Sequence, residues 1–185
     1  MNIKGSSYVT TKAIVSEAFG EEKWEAFKAK VAAKDKFFNN VIMSITLIPV
    51  EKIIIFFDEL CSEFFGNDKM QYVMFGKSGA KFVLSPDGPY RSYMLAKDLK
   101  QFVEHSMPKI WATYFDGGTF KSWLENNVVH LKVTGLDVQN NYFEYLVMGF
   151  NQQALKIFGK KTDAKRIKSV AAGDDELYIQ YKVKN

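Results

Sequence analysis

Few side chains in this sequence have the type and spacing needed to carry out a reaction. The 185 residues include two histidines and one cysteine. Carboxylates such as Asp58, Glu63 and Glu104 are scattered at positions expected on helix surfaces. None has the spacing that a zinc site or a nucleophile–base pair needs. We therefore predict a non-enzymatic protein without catalytic residues and without a metal site.

Cys61 and His105 are the two side chains with the most reactive chemistry. Cys61 falls on the apolar stripe of a predicted helix, where a cysteine usually acts as an inert apolar side chain. His105 lies near the end of a predicted helix before Pro108, where an imidazolium interacts favourably with the helix dipole. His130 shares the polar face of a predicted strand with Lys132. The residues alone give none of these side chains a catalytic role.

One glycine-rich segment superficially resembles a phosphate-binding loop. This segment is Gly76-Lys77-Ser78-Gly79. Gln71 stands where such a loop requires its first glycine, and the preceding residues have a helical rather than a strand pattern. Small residues in this place are instead expected to let two helices approach each other closely.

A basic cluster near the C-terminus is the best argument for an anionic partner. It consists of Lys160, Lys161, Lys165, Arg166 and Lys168. Asp163 interrupts it, and no aromatic pair for stacking on bases is interleaved with the lysines. We interpret the cluster as the solvated face of a strand, so a nucleic-acid partner is not expected.

The composition is that of an ordinary soluble globular protein, with 47% hydrophobic and 25% charged residues. At this length, one domain over residues 1–185 is the most economical organisation. The longest apolar run, residues 53–57, is far shorter than the ~18 residues that a membrane span needs. Met1 is followed by a polar stretch rather than by a secretory signal. We predict a cytoplasmic protein without a membrane span.

Residues 1–116 are predicted to be mostly helical, because their apolar residues recur at helical spacing. The strongest pattern follows Pro49 and continues until Gly66. That segment is apolar nearly all round, so we expect it to be a buried central helix. Two predicted helices precede it as a hairpin, and two more follow over residues 72–84 and 90–102.

Residues 117–185 change from a period of about 3.6 to a period of about 2, which predicts a ββαββ arrangement. Apolar residues from Val129 to Val133 alternate with polar ones, as in a sheet covered on one side. Asn141 and Glu144 are predicted to form a capping box at the start of the intervening helix. The predicted fold class is α+β, with an N-terminal helical layer packed on a four-stranded antiparallel sheet.

Short segments along nearly the whole chain resemble a bacterial group of small sensory proteins. These segments are Ile3-Lys4-Gly5, Phe19-Gly20-Glu21-Glu22, Ile48-Pro49-Val50, Gly66-Asn67-Asp68, Gly76-Lys77-Ser78-Gly79-Ala80, Pro108-Lys109-Ile110-Trp111 and Tyr114-Phe115-Asp116-Gly117-Gly118. The group is similar to the 4-vinyl-reductase-like domains, the heme nitric-oxide-binding domain and the TRAPP vesicle-tethering subunits. The resemblance implies helices against a four-stranded antiparallel sheet, with an apolar cavity that different branches fill with heme, an acyl chain or another hydrophobic ligand.

In the heme branch of these families, a helical histidine binds the iron, and alternating tyrosine, serine and arginine residues hold the propionates. The resemblance leaves His105 as the candidate axial ligand. Residues 133–137 lie about where the propionate motif should fall, but they contain no Tyr, Ser or Arg. Residues 90–93 precede the histidine and have the wrong order. We therefore expect that the chain carries no cofactor and that heme is disfavoured.

The chain is rich in side chains that can line a cavity, with sixteen phenylalanines, nine tyrosines, three tryptophans and seven methionines. We predict a regulatory or sensory domain that binds a small hydrophobic ligand between helices and sheet. The resemblance makes Tyr93, Phe102, Trp111 and Tyr114 candidates for ligand contacts, because that segment runs alongside the cavity in the related families. The acyl-carrying branch implies a further alternative, in which Cys61 is acylated inside the cavity.

The competing prediction is a protein–protein interaction module with a filled core and no ligand. In that case the chain would act as a homodimeric adaptor. Tyr8, Trp24 and Phe27 could then supply the aromatic contacts that interfaces favour.

Overall fold

The computed structural model describes residues 1–184 as helices packed on a four-stranded antiparallel sheet. The helices are α1 (Ser6–Phe19), α2 (Glu21–Lys34), α3 (Val50–Phe65), α4 (Met70–Leu84), α5 (Leu99–Gln101), α6 (Met107–Tyr114) and α7 (Asn141–Ile157). The strands are β1 (Asn2–Lys4), β2 (Leu47–Pro49), β3 (Thr119–Glu125), β4 (Val128–Thr134), β5 (Thr162–Lys168) and β6 (Glu176–Val183). The α+β class and the ββαββ order of the C-terminal part are confirmed. Within residues 1–184, no helix has the length and apolar character needed to cross a membrane.

The first three helices pack around a cluster of aromatic rings. Phe56 of α3 lies at its centre, with its ring centroid 5.0 Å from Tyr8, 6.2 Å from Trp24 and 5.5 Å from Phe27. All four rings are buried. The prediction that Tyr8, Trp24 and Phe27 contact a second copy is therefore wrong, because these rings build the core. α3 ends at Gly66, whose φ of 59° is the left-handed conformation that glycine adopts most readily.

The four-stranded sheet has the strand order β3-β4-β6-β5 and is covered by helices on one face. β3 and β4 form a hairpin through Asn126 and Asn127, whose φ values of 49° and 60° suit a tight turn. On the covered face, Leu131 of β4 is fully buried. The hydroxyl of Tyr181 in β6 donates to the carbonyl of Met148 in α7 at 3.2 Å. α7 therefore lies across the inner face of the sheet, as the sequence pattern predicts.

A buried carboxylate fixes the first turn of α7. The N-cap is Asn140, and Glu144 is fully buried one turn later. The Glu144 carboxylate accepts hydrogen bonds from Arg166 of β5 at 2.5 Å and from the Ser169 hydroxyl at 2.7 Å. The predicted capping box of Asn141 with Glu144 is therefore wrong, because β5 and the turn after it bind the carboxylate.

α4 and α7 cross in direct backbone contact, because each helix has a glycine at the crossing. A Cβ atom at Gly76 would collide with the carbonyl oxygen of Leu146, and one at Gly149 would collide with that of Val73. Backbone atoms cannot give way as the end of a flexible side chain can. The expectation that small residues near residue 76 let two helices approach closely is confirmed.

The segment predicted as one helix over residues 90–102 is divided into several parts. A 3₁₀ turn covers Arg91–Leu95. α5 begins after Asp98, whose side chain caps it by accepting a hydrogen bond from the backbone N–H of Gln101 at 2.8 Å. A π-helical segment, Phe102–Ser106, then joins α5 to α6. The prediction of one continuous helix is wrong because a local capping interaction overrides the apolar period.

A small two-stranded sheet joins the N-terminus to the end of α6, and the sequence pattern does not predict it. β1 pairs with β2 in antiparallel register, so that Ile3 lies opposite Ile48. Ile3 also forms a bridge with Phe115, directly after α6. Strands of three residues are too short to show a period, which explains why they were missed.

Alanine substitutions at two glycines of α4 test the close helix crossing. Gly76→Ala is expected to lower the free energy of unfolding by about 2–3 kcal/mol, because its Cβ would press against the backbone of α7. Gly79→Ala is the matched control, since a Cβ there meets only a ring carbon of Phe150, at 3.9 Å. Alanine at that position should instead raise stability by up to about 1 kcal/mol through helix propensity. Urea unfolding of both variants measures the difference, and equal midpoints would contradict the crossing.

Candidate functional site

An apolar cavity of about 320 Å³ lies among four helices of the structure. α1, α4, α6 and α7 supply most of the wall, and the two sheets contribute Ile3 and Phe120. Aromatic residues of the wall include Phe57, Phe65, Phe75, Trp111, Phe115 and Phe150. A volume of this size with apolar walls is typical of a small-molecule site. The cavity is thus enclosed mainly by helices, whereas the sequence analysis placed it between helices and sheet.

The cavity exists because two neighbouring helices present small side chains to each other. Along α1, the wall residues recur at helical spacing and comprise Ser7, Thr10, Thr11, Ile14, Val15 and Ala18. Along α4, Gly76, Ser78 and Gly79 belong to the wall. Since protein interiors are otherwise close-packed, short side chains on facing helices leave space that no neighbouring ring fills.

The wall carries no charged side chain. The lining residues of the described chain include no Asp, Glu, Lys, Arg or His. Two polar side chains are bonded within their own helices: the Thr11 hydroxyl donates to the Ser7 carbonyl at 2.9 Å, and the Asn151 amide donates to the Val147 carbonyl at 2.8 Å. A ligand in this cavity therefore meets mainly carbon atoms and a few neutral polar groups.

Tyr114 contributes a phenol to the wall of the cavity. Its ring packs edge to face against Phe150 and Tyr90, with centroids 5.6 and 5.5 Å apart. Burial raises the pKa of its phenol far above the ordinary value, with a smaller contribution from Tyr90. The phenol is therefore neutral at physiological pH.

The mouth of the cavity lies between α1 and α4. Ile14 and Phe19 of α1 and Met74 of α4 belong to the wall, yet they are 40%, 40% and 49% exposed. These apolar side chains connect the cavity with solvent. An apolar ligand could therefore enter at this place without unfolding of the core.

The structure brings two of the four predicted ligand-contact residues into the wall and leaves two outside it. Trp111 and Tyr114 line the cavity. The Tyr93 hydroxyl is bonded to that of Thr113 at 3.0 Å, away from the cavity. Phe102 is fully buried against Phe158, with ring centroids 4.6 Å apart. The structure gives no support to ligand contacts by Tyr93 and Phe102, because the divided helix turns them toward other neighbours.

Neither histidine reaches the cavity. His105 is exposed in the π-helical segment and lies in a polar surface depression with Lys97, Asp98 and Glu104. His130 lies on the outer face of the sheet, where its ring stacks on Trp123 at 4.8 Å. The role suggested for His105 as an axial ligand in the cavity is therefore not compatible with its position.

Cys61 also lies outside the cavity wall. It is buried in α3, and its thiol donates a hydrogen bond to the carbonyl of Asp68 at 3.3 Å. Burial raises the pKa of the Cys61 thiol, which makes the reactive thiolate scarcer. The alternative of an acylated Cys61 inside the cavity is therefore not supported.

The other motifs singled out in the sequence find structural explanations. The phosphate-loop-like segment is part of helix α4, so its backbone N–H groups are not arranged as an anion cradle. In the basic cluster, Arg166 binds the buried Glu144, and Lys168 pairs with Glu176 at 3.1 Å. Within the described residues, no group of three His, Cys, Asp or Glu side chains could hold a metal ion.

The α1 side of the wall was missed by sequence reasoning, although a signal for it exists. Small or β-branched residues at positions 7, 10, 11, 14 and 18 follow the spacing of one helix face. Such a stripe usually packs against a neighbouring helix. It indicates a cavity only when the helix that faces it is also known to carry small side chains.

Solved structures share the fold of this chain over nearly its whole length. No protein-family model and no curated protein matches the sequence. An H-NOX protein from S. oneidensis in the Fe(II)NO ligation state has a TM-score of 0.70 at 15% identity, covering 99% of this chain and 100% of that chain. An Fe(II) unliganded H-NOX protein from K. algicida has a TM-score of 0.70 at 13% identity, with 99% and 97% covered. The chain therefore has the H-NOX fold, as the suspected resemblance to heme nitric-oxide-binding domains implies.

The expectation that the chain carries no cofactor and that heme is disfavoured is contradicted by these neighbours. Two of them are H-NOX proteins in Fe(II) states. A third, used to probe the function of heme distortion in the H-NOX family, has a TM-score of 0.70 at 15% identity, with 99% and 96% covered. The absence of a propionate motif at residues 133–137 was the argument against heme. A short motif is weaker evidence than a fold shared over the full length. The shared fold therefore overturns the expectation that heme is disfavoured.

The residues present nevertheless do not fit a heme held by histidine. Both histidines lie outside the wall, and no cation of the wall could face a propionate. The wall groups able to ligate iron are the thioethers of Met74 and Met107. The iron-ligating groups available in this cavity therefore differ from the imidazole of a histidine.

A bulky residue at the mouth tests whether the cavity accepts ligands. Ser78→Trp is expected to weaken binding of the neutral fluorescent probe N-phenylnaphthylamine by about tenfold or more, because the indole would occupy the space of the probe. Lys77→Trp is the matched control, since Lys77 is next to Ser78 in α4 but does not belong to the wall. Fluorescence titration of both variants measures the affinities. Equal weakening by both substitutions would show that the probe binds elsewhere.

Proposed function

We propose that this protein is a sensory domain that binds a small hydrophobic ligand in the cavity among α1, α4, α6 and α7. The observation that carries the proposal is an uncharged cavity of about 320 Å³ with an apolar mouth between α1 and α4. An isolated core defect would be expected to be small and closed, since packing voids cost stability. The H-NOX fold of the chain supports a sensory rather than an enzymatic role.

The arrangement of the helices suggests how occupancy would be transmitted. α4 and α7 are in direct backbone contact at the glycine crossing. They therefore form the part of the cavity wall that is least able to move. α1 faces them across the mouth, and α6 continues through the π-helical segment into the exposed region around His105. A ligand that binds one arrangement of α1 and α6 better than another would shift the population toward that arrangement.

Heme is a ligand to be tested first, because the solved neighbours are H-NOX proteins. Heme would supply an iron centre able to bind a diatomic gas. In this chain the groups available to hold it would be the thioethers of Met74 and Met107, together with the aromatic wall. The alternative of an interaction module with a filled core is disfavoured by the cavity. A partner protein or a second copy remains the expected receiver of the signal.

The proposal is tested by native mass spectrometry of the purified protein, with an absorbance spectrum and a solvent extract of the same sample. We expect a retained hydrophobic molecule, or one that binds when added, in a one-to-one ratio. A heme would also give a Soret band. A bare chain that binds neither hemin nor N-phenylnaphthylamine would contradict the proposed function.

The position of His105 gives a further prediction for added hemin. His105→Ala is expected to leave the hemin difference spectrum unchanged, because His105 is exposed and lies outside the cavity wall. Met107→Leu is the comparison variant, since Met107 is buried in the wall and leucine keeps its volume approximately. Absorbance titrations of the wild type and both variants measure the effect. Loss of the spectrum in His105→Ala alone would contradict the site described.

A further inference from the structure

We propose that residues 41–47, which lie between α2 and β2, dock this protein on the surface of an anionic lipid bilayer. These residues are called the docking segment below. Ile45 is the side chain that enters the apolar part of the bilayer. The inference goes beyond the proposed function and does not depend on it, because the docking segment contributes nothing to the wall of the cavity.

The docking segment exposes an unusual amount of apolar side chain. Val41, Met43, Ile45 and Leu47 are all more than half exposed, and Ile45 is 77% exposed. Ile45 lies in a turn, where polar residues and glycine are usually found. Single exposed apolar residues are normal on a protein surface, whereas four within seven residues indicate a surface that meets an apolar partner.

The turn of the docking segment has many of its backbone groups already bonded. The Thr46 N–H donates to the Met43 carbonyl at 3.0 Å, and the Met43 N–H donates to the Thr46 hydroxyl at 2.9 Å. The Gly5 N–H donates to the Thr46 carbonyl at 2.7 Å. The Ser6 N–H donates to the Ser44 carbonyl at 3.0 Å. Since unbonded backbone groups are costly in lipid, these bonds make it easier for the turn to enter a bilayer, and they also fix it to the start of α1.

Two lysines accompany the docking segment. Residues 36–50 contain one charged side chain, that of the exposed Lys36, and no Asp or Glu. Lys4 of β1 lies directly opposite Leu47 of β2, so these two side chains share one face of the small sheet. Among residues 1–184, neither lysine forms an ion pair. Ammonium groups beside an exposed apolar turn are complementary to the anionic headgroups of a bilayer.

Acidic side chains near the docking segment limit this attraction without cancelling it. Asp35 is already paired with Lys52 at 2.6 Å, so it does not compete for the two lysines. Glu51 is exposed in the first turn of α3, just beyond β2. We therefore expect the charges to provide a modest preference for anionic bilayers, while the apolar side chains provide most of the binding.

A bilayer suits the docking segment better than a second copy of the chain does. A symmetric contact would bring the lysines around one docking segment close to those around the other, and like charges repel. The exposed side chains are aliphatic or Met, whereas the cores of protein interfaces are enriched in aromatic residues. An apolar turn that projects into solvent can instead enter the boundary between headgroups and acyl chains.

A fluorescent dye at position 45 tests insertion directly. Ile45→Cys would be labelled with the environment-sensitive dye NBD, while Cys61 is buried and should not react in the folded protein. We expect a rise in fluorescence and a shift to shorter wavelength with vesicles of phosphatidylcholine and phosphatidylglycerol, because the dye leaves water. Ile167→Cys is the matched control, since Ile167 is exposed on β5, at the sheet edge opposite β3. Its dye should not respond.

Co-sedimentation of the unlabelled protein with the same vesicles measures the contribution of each group. Ile45→Ser is expected to weaken binding about tenfold, because one inserted aliphatic side chain is lost. Ile167→Ser should leave binding unchanged. Lys4→Gln is expected to weaken binding about fivefold for these anionic vesicles and to have little effect with pure phosphatidylcholine. Urea unfolding is the check that the variants remain folded.

Three results would overturn the inference. The first is a wild type that does not bind anionic vesicles, and the second is equal weakening by Ile45→Ser and Ile167→Ser. The third is light scattering that shows a dimeric wild type and a monomeric Ile45→Ser, because the docking segment would then bind a second copy. None of these results bears on the cavity, whose ligand binding is measured without vesicles.

Discussion

The direct backbone contact between α4 and α7 is the constraint on which the rest of the structure depends. Gly76 and Gly149 allow the two helices to touch, and any side chain at either position would push them apart. α7 is in turn attached to the sheet through Tyr181, so α4 is placed at a defined distance from the sheet. The remaining helices must then close around a fixed pair. Where α1 meets that pair with small residues, a cavity remains.

The chain combines the H-NOX fold with a cavity whose wall carries an unusual set of side chains. Its wall is mostly aromatic and aliphatic with a few neutral polar side chains, and both histidines of the chain lie outside it. Fold and site chemistry therefore carry different information, since one fold can hold different sites. The wall of this cavity offers a ligand neither an imidazole nor a cationic side chain.

The sequence predicted those features whose causes are local. The helix end at Gly66 depends on a residue that adopts positive φ, and the alternating strands follow directly from their period. One local feature was also missed: Asp98 caps α5 and so divides a helix that the apolar period predicts as continuous, which explains why Tyr93 lies outside the cavity. Features that depend on distant partners were missed as well. The α1 wall is an example, because the stripe beginning at Ser7 indicates a cavity only when it faces a second helix with small side chains.

The buried carboxylate of Glu144 has a consequence for how the molecule can open. Its bonds to Arg166 and Ser169 connect the first turn of α7 with the end of β5, and separating these elements would break the hydrogen bonds of a fully buried side chain. Partial unfolding that frees α7 from β5 is therefore costly. We expect amide hydrogens of α7 and β5 to exchange together, as members of one cooperative unit. The side of the cavity formed by α7 is thus part of a frame that the sheet holds in place.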